Sequence, residues 1–206
     1  MPKLLLATFN PGKIREYRLL LDGLGYQITT PGEEGLAKVV AESGTTYEQN
    51  ARLKANAYAE LSQLMTLADD SGLEVDALGG QPGVNSARFA GETATDAENV
   101  KLLLAKLNGV PWEQRTAHFK CVIALATPTG QCDVYYGESH GLIAFEPKGE
   151  NGFGYDPIFF LPEIGKTMAE LPLETKNQIS HRARATHKVR QVLEQACIDF
   201  CFHSPK

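Results

Sequence analysis

The first twenty-four residues constrain the fold most. Leu4-Leu5-Leu6-Ala7 is a short apolar run of strand length, and Thr8-Phe9-Asn10-Pro11-Gly12-Lys13 breaks it as a loop. Ile14, Tyr17, Leu20, Leu21 and Leu24 then recur at helical spacing. A buried strand that feeds a loop and then a helix is how α/β folds begin, and the rest of the chain keeps the alternation. Tyr26–Thr30 reads as a second strand, with Pro31–Gly35 as the loop after it. Thr45-Thr46-Tyr47-Glu48 is a capping box opening a helix that reaches about Leu64. Met65–Ala68 is a strand ending on Asp69-Asp70-Ser71-Gly72, and the glycine-rich stretch from Gly72 to Gly91 reads as loop.

Thr95 or Asp96 caps a further helix, with Val100, Leu103, Leu104 and Leu107 on one face and Gly109 past its end. His118–Thr127 and Cys132–Ile143 are rich in strand formers around Pro128-Thr129-Gly130, the pattern of a hairpin. Ile158–Leu161 is a short apolar stretch. Ile179, Ala183, Thr186, Val189, Leu193 and Ala196 mark a last helix that Ser180 caps or kinks. The expectation is an α/β domain with a mixed central sheet and flanking helices.

A length of 206 residues suits one domain, or one domain with two lobes, and no linker, repeat or low-complexity segment divides residues 1–206. Twenty-five acids against twenty bases give a net charge of −5, which disfavours a nucleic-acid coat but leaves a nucleotide ligand open. Cys121, Cys132, Cys197 and Cys201 form no C-x-x-C pair, and Cys197 and Cys201 read as small hydrophobes on the last helix. Leu4–Ala7 is too short for a signal sequence, and no run approaches a membrane span. A soluble, reducing, cytoplasmic setting is expected.

Four constellations carry chemistry. In the first, the helix start after Leu4–Ala7 presents unpaired N–H groups and a positive dipole end, which favour phosphate. Thr8 and Asn10 add hydrogen bonds, Gly12 close approach and Lys13 charge, although an ordinary turn with a surface lysine has the same letters. It is not a Walker loop, since Ala7 stands where the first glycine belongs. In the second, Asp69-Asp70 at a strand end suits a hard cation such as Mg²⁺, or equally an Asx turn. Adjacent strand residues face opposite ways, so Asp70, nearer the loop, is the better candidate. Glu42 is either a charge beside a helix start or a second metal carboxylate.

The third constellation is Gly149-Glu150-Asn151-Gly152-Phe153-Gly154-Tyr155-Asp156-Pro157, where an aromatic between glycines is either a platform for a flat base or tucked into the core. The fourth is Lys176, Arg182, Arg184, Lys188 and Arg190, an acid-free basic run that reads as an anion face or a solvated helix side.

The order of these elements is more specific than any one of them. Thr8-x-Asn10-x-x-Lys13, Glu42, Asp69-Asp70-Ser71-Gly72-Leu73, Phe153-Gly154-Tyr155-Asp156-Pro157 and Ser180-His181-Arg182 resemble the signature of the Ham1/inosine triphosphatase family over essentially the whole chain. Leu78-Gly79-Gly80-x-Pro82-Gly83 and Ser86-Ala87-Arg88 are lesser matches, and Phe9 departs from the glycine common in relatives. The resemblance implies two lobes around a nucleotide cleft, and a homodimer that splits ITP, dITP and XTP into nucleoside monophosphate and pyrophosphate. It implies that Thr8, Phe9, Asn10, Pro11, Gly12 and Lys13 hold the triphosphate. Asp70 would accept a proton and, with Glu42, bind Mg²⁺. Ser71 would touch substrate, Phe153, Gly154, Tyr155 and Asp156 would line the nucleoside pocket, and Lys176, His181 and Arg182 would contact the nucleotide. On the residues alone, a non-catalytic nucleotide sensor and a pyrophosphatase for modified pyrimidines stay open, with a dinucleotide oxidoreductase further off.

Overall fold

The computed structural model describes residues 1–36 and 40–203, with side chains as far as Gln195. The side chains of Ala196, Cys197 and Cys201, read above as part of an apolar helix face, lie outside the described residues. The chain divides into two compact units. The first comprises Met1–Asp70, Val122–Gly137 and Ala183–Lys206, and the second comprises Ser71–Cys121 and Glu138–Arg182.

The first unit opens with strand β1 (Lys3–Leu6), helix α1 (Pro11–Leu20) and strand β2 (Gln27–Thr29), followed by helix α2 (Tyr47–Ser62) and strand β3 (Met65–Val75). Strand β1 pairs in parallel with β2 on one side and β3 on the other, Leu4 standing opposite both Ile28 and Met65. Parallel neighbours need crossovers, and α1 and α2 supply them. A central parallel strand is covered on both faces, so Leu4, Leu5 and Leu6 are apolar without alternation and at most 1% exposed.

Helix α1 begins three residues earlier than the apolar spacing indicates. Asn10 is its N-cap, and Pro11-Gly12-Lys13, expected as loop, form its first turn. Proline is well suited to a first helical position because its missing N–H has no intrahelical partner there. The cap of α2 is Thr46 rather than Thr45. The Thr46 side chain accepts from the Gln49 N–H at 3.2 Å, and Gln49 Oε1 accepts from the Thr45 N–H at 2.8 Å. Glu48 is left to pair with Arg52 at 2.8 Å.

The second unit continues β3 beyond Asp70 and adds 3-10 turns at Asp76–Leu78 and Gly83–Arg88, then helix α3 (Asp96–Lys106). Thr95 and Glu98 cap α3 reciprocally. Strands β4 (Thr116–Ala126) and β5 (Cys132–Ile143) each contribute residues to both units. Between them the Thr127 N–H donates to the Gln131 carbonyl at 2.9 Å, closing the expected hairpin turn. Strand β6 (Phe159–Leu161) extends the sheet antiparallel to β5, and strand β7 (Lys166–Thr167) pairs antiparallel with β6.

The sheet order is β2-β1-β3-β4-β5-β6-β7, a mixed seven-stranded sheet with flanking helices. The second unit's core gathers Leu73, Val75, Leu103, Leu107, Phe119, Ile143, Phe159 and Met168. Helix α4 (Leu173–Ile179) stops at Ser180, which is fully buried and extended, and helix α5 (His181–His203) starts immediately after it. Ser180 is thus a cap, as expected, but as the C-cap of α4, so that Ile179 belongs to α4 and not to the last helix.

Two sequence expectations fail around β3. The stretch Asp69-Asp70-Ser71-Gly72 lies inside the strand and not at its end, and the expected loop from Gly72 is strand as far as Val75. The letters are those of a turn, but Leu73 and Val75 are fully buried, and their burial in the core favours continuing the strand over turning.

Candidate active site

In the first unit, charge is concentrated where α1 and α2 meet β3. Lys13 Nζ lies 2.9 Å from Asp69 Oδ2, and that carboxylate's side chain is 1% exposed. Helix α2 presents Tyr47, Asn50, Ala51, Lys54, Ala55 and Tyr58 as one buried stripe. Two of these core positions are polar. Asn50 Nδ2 donates to Asp70 Oδ2 at 3.0 Å, while Asn50 Oδ1 accepts from the Gly44 N–H at 2.8 Å. One turn further on, Lys54 Nζ donates to Glu42 Oε1 and to the Asp69 carbonyl, each at 2.6 Å.

The electrostatics follow from this packing. Burial pushes the Asp70 carboxyl above its ordinary value, while Lys54, Lys13 and the Asn50 hydrogen bond pull it back and Glu42 raises it further. Burial would lower the Lys54 ammonium, but Asp69, Glu42 and Asp70 together outweigh that and hold it above its usual value. Among the described contacts, the carboxylates of Asp69, Asp70 and Glu42 thus act on the ammonium groups of Lys13 and Lys54.

The helix start differs from expectation. Asn10 Oδ1 accepts from the N–H groups of Gly12 at 2.8 Å and Lys13 at 3.1 Å, and the Ile14 N–H donates to the Asn10 carbonyl at 3.0 Å. Pro11 has no N–H, so the first turn's donors are taken within the chain, and the unpaired donors expected there are not available. Thr8 Oγ1 accepts from the Asn10 N–H at 3.2 Å, and Phe9 is half exposed. With these N–H groups taken, the Lys13 charge, the helix dipole and the Thr8 and Asn10 side-chain donors remain to meet an anion.

In the second unit, the glycine loop is held from within. Asp156 Oδ2 accepts from the Phe153 N–H at 2.9 Å and also pairs with the Lys176 ammonium, both side chains being 3% exposed. Gly152 adopts φ +76°, and a Cβ there would stand 2.0 Å from Asp156 Oδ2, so only glycine lets the loop close on this carboxylate. Asp96 Oδ2 accepts from the Gly154 N–H at 2.7 Å, and the Tyr155 hydroxyl donates to the Ser86 carbonyl at 2.9 Å.

Phe153 is neither fully exposed nor tucked away. Its half-buried ring lies 4.9 Å from the Lys176 ammonium and 5.4 Å from the Arg182 guanidinium. Arg182 Nη2 donates to Ser71 Oγ at 3.1 Å, and His181 stacks on Phe119 with centroids 4.7 Å apart and planes 13° from parallel. A cavity of about 510 Å³ runs beside the loop, bordered by Phe153, Gly154, Asp96, Val100 and Leu104.

The basic run from Lys176 to Arg190 does not form one face. Lys176 and Arg182 are buried beside Phe153, whereas Lys188 donates to the Tyr136 carbonyl at 2.7 Å and Arg190 to the Leu20 carbonyl at 2.6 Å. Asn50 and Lys54 are not among the site residues expected from the sequence, and Asp69 is set aside there in favour of Asp70. The signal for the first two was two polar residues placed on the apolar stripe of α2.

The profile of the Ham1 family matches residues 4–192. Among curated relatives, the dITP/XTP pyrophosphatase of Bacillus subtilis (strain 168) is 46% identical over 194 residues, 94% of this chain and 98% of that one. The dITP/XTP pyrophosphatase of Geobacter sulfurreducens is 51% identical over 185 residues, 90% of this chain and 93% of that one. Two solved structures share the fold closely. The Ham1 protein of Staphylococcus aureus superposes with a TM-score of 0.84 at 42% identity, covering 94% of this chain and 99% of that one. The HAM1 protein of Coxiella burnetii gives 0.86 at 41%, covering 95% and 100%. With a match from the first strand into the last helix and relatives alike over nearly their full length, this chain belongs to the Ham1 family.

Proposed function

We propose that this chain hydrolyses non-standard purine nucleoside triphosphates, ITP, dITP and XTP, to the nucleoside monophosphate and pyrophosphate, keeping them out of DNA and RNA. The activity named for its relatives supports the reaction, and the observation that carries the chemistry is Asp70. It is a carboxylate fixed by Asn50 and raised in pKa by burial, and it stands in the field of Lys13 and Lys54. The first unit then handles the triphosphate and the second the base, within a single two-lobed domain spanning 1–206.

Attack at the α-phosphorus needs a water aligned with the leaving pyrophosphate, a proton acceptor and neutralisation of the departing charge. A raised pKa makes Asp70 a better proton acceptor than an exposed aspartate, and general-base catalysis contributes roughly 10²- to 10⁴-fold. Asn50 holds that carboxylate in one orientation. Lys13, carried on the first turn of α1, balances charge gathering on the pyrophosphate oxygens, with Thr8, Phe9, Asn10, Pro11 and Gly12 shaping its approach. Glu42 and Asp70 fit Mg²⁺, because their carboxylate oxygens are hard ligands and Glu42 stands near enough to Asp70 to raise its carboxyl. When bound, Mg²⁺ neutralises polyphosphate charge and orients the phosphates.

At the other end, Phe153 offers its ring for stacking, and Lys176 and Asp156 fix the loop that carries it. Gly154 and Tyr155 complete the nucleoside wall. His181 and Arg182, with Ser71 beside the arginine, supply donors to a 6-oxo group. An adenine brings an amino group to the same place and leaves those donors unmatched, which costs about 1–3 kcal/mol per buried bond. The reading includes a homodimer in the cytoplasm with no nucleic-acid or membrane partner. No described helix is long and apolar enough to cross a membrane.

Incubation with ITP, dITP, XTP and ATP tests this directly. Pyrophosphate should appear from the first three in preference to ATP and should disappear on chelation of Mg²⁺. Release of orthophosphate alone would contradict cleavage between the α- and β-phosphates.

A further inference from the structure

Outside the residues given to hydrolysis, the second unit carries an unexplained pair of histidines. His118 on β4 and His140 on β5 bring their Nδ1 atoms to 2.7 Å, with the rings edge to face. Glu138, two residues before His140 and therefore on the same face of β5, places Oε1 3.6 Å from His118 Nδ1 and 3.8 Å from His140 Nε2. One donor atom from each of the three lies within 4.8 Å of the others.

We propose that His118, His140 and Glu138 form a binding site for a borderline divalent transition-metal ion, Zn²⁺ in particular. Ligand atoms bound to Zn²⁺ at about 2.0–2.1 Å in a tetrahedron stand roughly 3.3 Å apart, near the separations of Glu138 Oε1 from His118 Nδ1 and His140 Nε2, whereas the two Nδ1 atoms at 2.7 Å are too close for both to ligate. Two imidazoles favour such an ion over Mg²⁺ or Ca²⁺, which take oxygen ligands.

A second feature points the same way. His118 Nε2 lies 3.2 Å from Asp76 Oδ1, and Thr116 Oγ1 donates to Asp76 Oδ2 at 2.6 Å. That is a carboxylate–histidine arrangement in which the outer carboxylate fixes the tautomer and turns Nδ1 toward the ion. Glu74 is paired with Lys120 at 2.7 Å, so Asp76 and Glu138 leave the surroundings negative. With three protein ligands, the fourth position is open to water, and the ion would staple β4 to β5.

Titration of ZnCl₂ into the chelator-stripped full chain, in buffer with excess MgCl₂, tests the site calorimetrically. One equivalent of Zn²⁺ should bind and raise the melting temperature. Affinity should fall at least tenfold in His118→Gln and His140→Gln, and about 10- to 100-fold in Asp76→Asn. His140 is largely exposed, so His140→Gln should keep the parent's circular dichroism and its Zn²⁺-free rate of ITP hydrolysis. Absence of saturable binding by the parent would overturn the proposal. So would unchanged affinity in the double histidine variant or in Asp76→Asn.

Discussion

In the first unit, Asp70 is oriented by Asn50, twenty positions away on another element, and Lys54 reaches fifteen positions to the Asp69 carbonyl. In the second, Phe153 is fixed by Asp156, only three residues further on, and Gly152 makes room for that carboxylate. The first arrangement concentrates like and unlike charges around one strand, where they act together on Asp70 and Lys54. The second spreads its charges around an aromatic ring and holds shape through local hydrogen bonds. If the two regions divide the labour as proposed, damage to the first should appear in turnover, and damage to the second in binding and base choice.

The sharpest break is Asp70→Asn. It removes the proton acceptor and half of the proposed Mg²⁺ carboxylates while keeping the side-chain volume. Turnover of ITP should fall by roughly 10²- to 10⁴-fold, with the preference for ITP over ATP unchanged because the second unit is intact. Steady-state kinetics on both substrates would check it, and a rate within a few fold of the parent would remove Asp70 from the mechanism.

Next comes the buried pair of the second unit. Lys176→Met leaves the Asp156 carboxylate, 3% exposed, without its ammonium, and breaking a buried pair from one side costs about 3–5 kcal/mol. Urea denaturation should show a loss of that order. Tight folding with unchanged ITP affinity would mean that the loop does not depend on the pair.

Phe153→Ala is smaller and more selective. Removing a base-stacking ring costs about 1–3 kcal/mol, so KM for ITP should rise between roughly five- and a hundredfold with kcat largely preserved. A fall in kcat at constant KM would place Phe153 in the chemistry of the first region and erase the division.

The same contrast explains what could be read in the amino-acid order. Strand β1, α1, α3 and the β4–β5 hairpin rest on local periodicity and turn letters such as Pro128-Thr129-Gly130, and each was legible. Asp69-Asp70-Ser71-Gly72 was misplaced because its letters suit a turn, whereas its burial is decided by strands and helices distant in sequence. The partners Asn50 and Lys54 were hidden for the same reason, since nothing near them names the carboxylates they meet. The basic run looked uniform because spacing alone does not tell Lys176 and Arg182, which are buried, from Arg190, which binds a helix-end carbonyl. Local hydrogen bonds leave local signatures, and packing over fifteen or twenty residues does not.

The smallest effect concerns stability and separates the electrostatic account from the catalytic one. Asp70 has a higher pKa folded than unfolded, so the protonated form is the one the fold prefers. Its contribution to stability is therefore fully present below the ordinary aspartate pKa of about 3.9 and is lost as pH rises through the raised value. Asp70→Asn carries no such titration. In chelator, where no cation can offset the carboxylate, the variant should melt at or above the parent's temperature at neutral pH. The expected gap is on the order of 2–4 °C for each kcal/mol involved, and it should close as pH falls toward 4. A gap of the opposite sign at neutral pH would mean that Lys13, Lys54 and Asn50 outweigh burial. Asp70 would then be a stabilising partner in the charge cluster, and its value as a proton acceptor would have to come from orientation alone.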